Sequence, residues 1–117
     1  MSKLEETLAL HLRAEKIEFE REVSGLVPGR RFRVDFFIKP DITVDCEGAV
    51  WVKGGHSTGT GITRDCLKAN LLLLAGYRPF RVTAQHIESG QALEWLLKAL
   101  ELSIRHDHLK PMVEESQ

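Results

Sequence analysis

The sequence predicts an α/β (α+β) fold in which a small mixed sheet is covered by helices. Leucines four residues apart within 3–16 indicate an amphipathic helix at the start of the chain. Alternating apolar and polar residues at 32–38 and 78–83 indicate strands. With 117 residues, the chain has room for one domain and not for two.

The first half of the chain predicts a helix followed by three strands. A strand near 19–23 is separated from the strand at 32–38 by a turn rich in glycine and proline. The turn at 39–41 is short enough to join that strand to the next one, at 42–47, as an antiparallel hairpin.

The second half predicts a helix, a strand and a final helix. The helix is expected from about 63 to 75, where Gly76 ends it. Ser89 is placed to cap the final helix, and the tail 106–117 is expected to fray. A loop is predicted before the first of these helices, where glycines cluster at Gly54, Gly55, Gly59 and Gly61.

Composition excludes several classes of protein. An apolar fraction of 43% and a charged fraction of 28% are typical of a folded domain and exclude disorder. The longest apolar run is far too short to cross a membrane, and the acidic N-terminus lacks the apolar stretch of a signal peptide. Two cysteines outside a CxxC pair are too few for a zinc cluster or a disulfide framework. We therefore expect a cytoplasmic protein with reduced thiols and no membrane partner.

The middle of the chain is cationic although the whole has net charge −1. Residues 28–83 carry nine basic and five acidic side chains, net +4. This balance suits a phosphate-bearing partner. The alternative is a set of scattered, solvated charges on an ordinary surface.

Three carboxylates of the predicted hairpin form a candidate metal site. Asp45 and Glu47 are two residues apart in one strand, so both project from the same face. Asp35 lies on the neighbouring strand, and we expect the three to converge near one edge of the sheet. Mg²⁺ prefers carboxylate oxygens and retains waters, one of which can attack a phosphodiester. The alternative is a solvent-facing acidic stripe.

Three further side chains are candidates for this site. Lys68 follows Asp65 by three residues on one helix face, and its ammonium can position the attacking water or steady a phosphate oxygen. A surface Asp–Lys pair is the alternative. His56 lies in a loop expected to overhang the site, where it can contact DNA or shuttle a proton, although a lone loop histidine more often does neither. Trp51 can stack on a base, but core packing is its commoner role.

Five segments of the chain match a known pattern in their order and spacing. They read RFRVDF at 31–36, VDCEGAVW at 44–51, GH at 55–56, DCLKAN at 65–70 and GYRPFRVT at 76–83. This set resembles the small phage- and prophage-type endonucleases of the PD-(D/E)XK nuclease superfamily, over roughly residues 20–97. The resemblance implies an αβββαβ restriction-endonuclease-like core and Mg²⁺-dependent hydrolysis of DNA phosphodiester bonds.

The resemblance also implies roles for individual residues. Asp35 would be the first metal-binding aspartate and Asp45 the second acidic position. Glu47 stands where the superfamily usually has a lysine, and Lys68 would be that lysine moved to the following helix. The implied cofactor is Mg²⁺, with Mn²⁺ as a substitute. Candidate contacts to DNA are Arg30, Arg31, Arg33, Lys53, His56 and Arg64.

Three positions depart from these relatives. Asp45 stands where they have glutamate, and it satisfies the motif with a shorter side chain. Thr58 replaces an arginine and so removes a phosphate contact. Ala49 replaces a glycine.

The leading prediction is a Mg²⁺-dependent DNA endonuclease for phage- or prophage-related DNA processing or repair, built as a single nuclease-like domain over 1–117. One alternative is a catalytically silent DNA-binding module with the same fold. Another is a protein–protein adaptor whose acidic strand is merely surface. A domain this small that cuts both strands is expected to act as a homodimer, because one active site meets one strand at a time.

Overall fold

Four strands form one mixed sheet in the part of the chain that the structure describes, residues 2–48 and 59–102. This computed structural model has the following helices and strands: α1 (Lys3–Ala14), β1 (Glu20–Ser24), β2 (Arg33–Ile38), β3 (Ile42–Glu47), α2 (Gly59–Leu74), β4 (Arg78–Thr83), α3 (Ala84–Glu88) and α4 (91–102). Their order agrees with the predicted order, except that the short helix α3 is inserted after β4.

The strands lie in the sheet in their chain order. β1, β2 and β3 form an antiparallel meander, so the predicted hairpin is confirmed. β4 pairs in parallel with β3, and the crossover between them contains α2. Asp45 is paired with Arg81 in this parallel ladder, and Glu47 with Thr83.

Helices cover both faces of the sheet. Val44 packs into the larger core cluster, whereas its neighbour Asp45 faces α2 and contacts Lys68. A smaller cluster forms under α2, where Leu72 packs with Val27 and Val34. The larger cluster joins α1, α3 and α4 to the sheet through Leu8, Ala9, Leu12, Phe36, Ile38, Ile42, Val44, Val82, Ile87, Ala92, Leu96 and Ala99.

The helix α2 begins earlier than its sequence predicts. Gly59 and Gly61 were expected in a loop but lie in the first turn of α2, because tertiary packing outweighs the low helix propensity of glycine. The predicted end is confirmed. Gly76 has φ +98°, its N–H donates to Leu73 O at 3.0 Å, and the N–H of Tyr77 donates to Leu72 O at 2.9 Å, as in a Schellman motif.

The chain after β4 differs from its prediction by the five-residue helix α3. Its N-cap Thr83 and the side chain of His86 form a reciprocal capping box. Such a short helix has no detectable apolar period, so the sequence pattern did not reveal it. Ser89 lies just before α4, where its Oγ accepts a hydrogen bond from Gln91 N at 3.3 Å. None of the helices in residues 2–48 and 59–102 is long and apolar enough to span a bilayer.

Candidate active site

A groove of about 200 Å³ opens between α2 and the ends of β2, β3 and β4. It contains the predicted acidic positions and their predicted lysine. We call it the acidic groove, and its lining residues are Arg33, Asp35, Asp45, Cys46, Glu47, Asp65, Lys68, Ala69, Leu72, Pro79 and Arg81. A larger cavity of about 490 Å³, lined partly by 16–20 and 37–39, contains none of the predicted site residues that the structure describes.

The β2–β3 pairing stops before Asp35. The carboxylate of Asp35 there accepts the hydrogen bond that a backbone carbonyl would otherwise accept. The β2–β3 pairs end at Phe36 and Val44. Beyond them, Oδ2 of Asp35 accepts a hydrogen bond from Cys46 N at 2.8 Å. In return, Asp35 N donates to Oδ1 of Asp45 at 3.2 Å. The two aspartates are therefore held side by side at the strand ends, as the sequence predicts.

Lys68 joins this pair from α2. Its Nζ lies 2.8 Å from Oδ2 of Asp45 and donates to Arg33 O at 2.6 Å. The side chains of Lys68 and Asp45 are only 21% and 17% exposed, so water screens this ion pair less than a surface pair. An ammonium has three N–H donors, and these contacts use two of them. The third is available to a water or a phosphate oxygen.

Burial dominates the titration of Asp45. Desolvation raises the pKa of this carboxyl above its ordinary value of 3.8, and the hydrogen bond from Lys68 lowers the pKa only in part. The nearby charge of Asp35 raises it further. Desolvation therefore makes the charged form of Asp45 costly, and the ion pair with Lys68 offsets that cost only in part.

Glu47 contacts a different cation. Its Oε2 accepts a hydrogen bond from Arg81 Nε at 3.2 Å. The Nη2 of Arg81 reaches Oδ2 of Asp65 on α2 at 3.1 Å. The hydrogen bond that Arg81 donates to Glu47 is the main reason that the pKa of Arg81 is raised. Arg81 thus links β3, β4 and α2 across the mouth of the acidic groove.

The donor set of the groove suits a hard divalent cation at the aspartate pair. Mg²⁺ is usually held by one or two carboxylates, with the remaining positions taken by waters and substrate phosphates. Asp35 and Asp45 supply such carboxylates. Within the described residues no group of three or more His, Cys, Asp or Glu side chains is arranged to hold a metal ion, so Glu47 does not join the pair in this arrangement.

The structure describes four of the six residues that are predicted to contact DNA. Arg33 lines the acidic groove, and Arg64 is exposed on α2 beside Asp65. Arg30 and Arg31 are exposed just before β2, and the guanidinium of Arg30 lies 5.9 Å from the centroid of the Phe32 ring. The predictions for Lys53 and His56, and the remarks on Ala49, Trp51 and Thr58, concern positions outside the described residues.

Arg81 lines the groove, although the sequence assigned it no role. It alternates with Phe80 and Val82 along β4, as any outward-facing strand residue does. Its contact with Glu47 depends on the parallel β3–β4 pairing, which joins residues 34 positions apart. The only local signal was a basic residue in a short strand.

The fold is shared with a nuclease of known structure. The solved structure titled Homing Endonuclease I-Bth0305I Catalytic Domain matches this chain with a TM-score of 0.66 at 14% sequence identity, covering 88% of this chain and 97% of that one. No family model and no curated protein sequence matches. The predicted fold class is confirmed: a restriction-endonuclease-like α+β fold with a four-stranded mixed sheet flanked by helices.

Proposed function

We propose that this protein is a metal-dependent DNA endonuclease that hydrolyses phosphodiester bonds. The observation that carries the proposal is the ion pair of Lys68 with Asp45, which accepts a hydrogen bond from Asp35 N in an open groove. The structural likeness to a homing endonuclease catalytic domain supports DNA as the substrate class. Processing or repair of phage or prophage DNA belongs to the same proposal.

In this proposal Asp35 and Asp45 hold the cation, and Glu47 is a third ligand that joins them on release from Arg81. Mg²⁺, or Mn²⁺ in its place, would supply Lewis-acid stabilisation of the charge that develops on the phosphate. The raised pKa of Asp45 agrees with this role, because a bound cation relieves the cost of its buried charge.

Lys68 orients the reacting groups. Asp45 and the carbonyl of Arg33 fix the ammonium, so its remaining donor has a defined position in the groove. There it aligns the attacking water or donates to a phosphate oxygen. We propose that the DNA backbone is contacted by Arg33, which lines the groove, and by Arg64, which is exposed on α2. Arg30, Arg31, Lys53 and His56 are proposed to extend that contact.

A cleavage panel tests the proposed function. The protein is incubated with plasmid, linear and branched DNA in Mg²⁺ or Mn²⁺, with Asp45→Asn as the inactive control. We expect the wild type to cleave DNA. We expect no cleavage by Asp45→Asn, and none by the wild type in the presence of a chelator. Solution mass measured with and without DNA tests whether a homodimer accompanies cutting of both strands. Cleavage no greater than that of the control on any substrate would contradict the proposal.

The second candidate is a catalytically silent DNA-binding module. The observation that favours it is that Glu47 is paired with Arg81 and the described residues form no three-ligand metal group. Calorimetric titration separates the two candidates. DNA binding with no detectable Mg²⁺ or Mn²⁺ binding would favour the silent module, and binding of both favours the endonuclease.

A further inference from the structure

We infer that Arg81 competes with the divalent cation for Glu47 and so controls the number of carboxylates at the metal site. The inference rests on the proposed function, because it concerns the cation that the aspartate pair is proposed to hold. It assigns a role to a residue that the sequence did not single out.

The first support is the geometry of the acidic groove. Glu47 shares a strand face with Asp45, yet its carboxylate is bonded to Arg81 at 3.2 Å. The guanidinium and a metal ion would seek the same carboxylate oxygens. While Arg81 holds Glu47, the described carboxylates do not form a three-ligand group.

The second support is the charge balance of the groove. Its lining includes four carboxylates and three basic side chains, so its formal charge is −1 before any cation enters. Lys68 is matched to Asp45, and Arg81 is matched to Glu47 and Asp65. A divalent cation that binds Glu47 makes the formal charge of the groove positive. The guanidinium then keeps only Asp65, and a DNA phosphate can take the place of Glu47.

The third support is the second contact of Arg81. Asp65 on α2 accepts from Nη2 at 3.1 Å, so loss of Glu47 does not release the guanidinium from the groove. Nε is then available to a phosphate oxygen. Metal binding and phosphate binding would therefore favour one another through a single arginine.

A double-mutant cycle on Mn²⁺ affinity tests the competition without requiring turnover. Mn²⁺ is titrated into wild type, Arg81→Met, Glu47→Gln and the double variant, with calorimetry and the electron paramagnetic resonance signal of free Mn²⁺ as readouts. Methionine keeps the aliphatic stem of Arg81 but cannot pair with Glu47. Lys39→Ala, which removes a positive charge from the exposed Lys39–Glu20 pair away from the groove, is the control for net charge. Thermal unfolding checks that each variant folds, and Arg81→Gln replaces Arg81→Met if the latter does not.

A partly exposed ion pair of this kind is weak, so we expect Arg81→Met to bind Mn²⁺ about twofold to fivefold more tightly, which corresponds to up to about 1 kcal/mol. Most of that gain should disappear in the E47Q background. Equal gains in both backgrounds would overturn the inference, because the effect would then be net charge alone. Unchanged or weaker binding in Arg81→Met would also overturn it while leaving the proposed function intact. Absence of Mn²⁺ binding in every variant would overturn both.

Discussion

The ammonium of Lys68 lies 2.8 Å from Oδ2 of Asp45, and this contact joins α2 to the end of β3. The same carboxylate accepts the N–H of Asp35 through Oδ1. One half-buried aspartate therefore connects the helix to two strands. The acidic pair and the lysine thus lie together in the groove that these elements line, which is the arrangement that the proposed catalysis by positioned charges requires.

Replacing Lys68 by alanine tests its role in orienting the reacting groups. We expect DNA cleavage to fall by about 100-fold or more, because a positioned donor to the reacting groups is lost. The fold should survive, with the melting temperature lowered by about 5 °C or less. Lys39→Ala is the matched control, since Lys39 is 77% exposed and lies outside the acidic groove. Equal activity of the two variants would remove Lys68 from the mechanism.

Asp35 has a structural role and a proposed metal-binding role, and two substitutions separate them. Asparagine retains an oxygen that can accept the N–H of Cys46, so Asp35→Asn should be close to wild type in stability. Alanine leaves that N–H without its acceptor, and Asp35→Ala should lose about 1–3 kcal/mol of unfolding free energy. Both should lose cleavage activity. Chemical denaturation measures the stability difference, and equal stability of the two variants would contradict this account of the hydrogen bond.

Ionisation of the Asp45 carboxyl should lower the free energy of unfolding as the pH rises. Burial raises its folded-state pKa above 3.8, so between 3.8 and the raised value the folded protein binds more protons than the unfolded chain. The free energy of unfolding therefore falls as the pH rises through this window. Asp45→Asn has no such carboxyl. Relative to wild type, it should gain stability across the window and keep that gain at neutral pH.

Denaturation of both proteins between pH 3 and pH 8, in the presence of a chelator, measures this difference. The chelator is needed because a bound cation would stabilise the charged carboxylate in the wild type. A variant that becomes less stable relative to wild type as the pH rises would show that the charged form of Asp45 is favourable in the folded protein.

The two thiols should differ in reactivity. Burial raises the pKa of Cys46 to about 12, so this thiol is almost entirely protonated at neutral pH. Cys66 is exposed on α2. An aromatic disulfide reagent at pH 8 should label one thiol quickly and the second at least about 100-fold more slowly. Cys66→Ser should remove the fast phase and Cys46→Ala should leave it unchanged; the reverse assignment would contradict the burial of Cys46.

The aspartate pair was predictable because local patterns determine it. A short turn brings Asp35 opposite Asp45, and the alternation of β3 directs Asp45 away from the apolar core. Those steps need only strand period and turn length. Lys68 reaches the pair because α2 lies in the crossover to the parallel strand β4, and before the structure only the resemblance to nucleases assigned it to the site.

The partner of Glu47 was not predictable in this way. Same-face alternation predicts that Glu47 joins Asp45, but a carboxylate at the end of a strand contacts the nearest cation in three dimensions. That cation is Arg81, whose position is determined by the register of β3 with β4. The loop predicted at Gly59 and Gly61 was wrong for a related reason. Helix packing is a tertiary property, and at the start of α2 it outweighs the local propensity of glycine.

The most direct test of the central claim is cleavage of supercoiled plasmid by wild type and Asp35→Asn, compared in Mg²⁺ and in excess chelator at matched protein concentration. The proposed function predicts nicked or linear product only for wild type in Mg²⁺, with both proteins folded in the same buffer. Cleavage that persists in chelator, or that Asp35→Asn performs at the wild-type rate, would contradict the claim that the acidic pair binds the cation that cuts DNA.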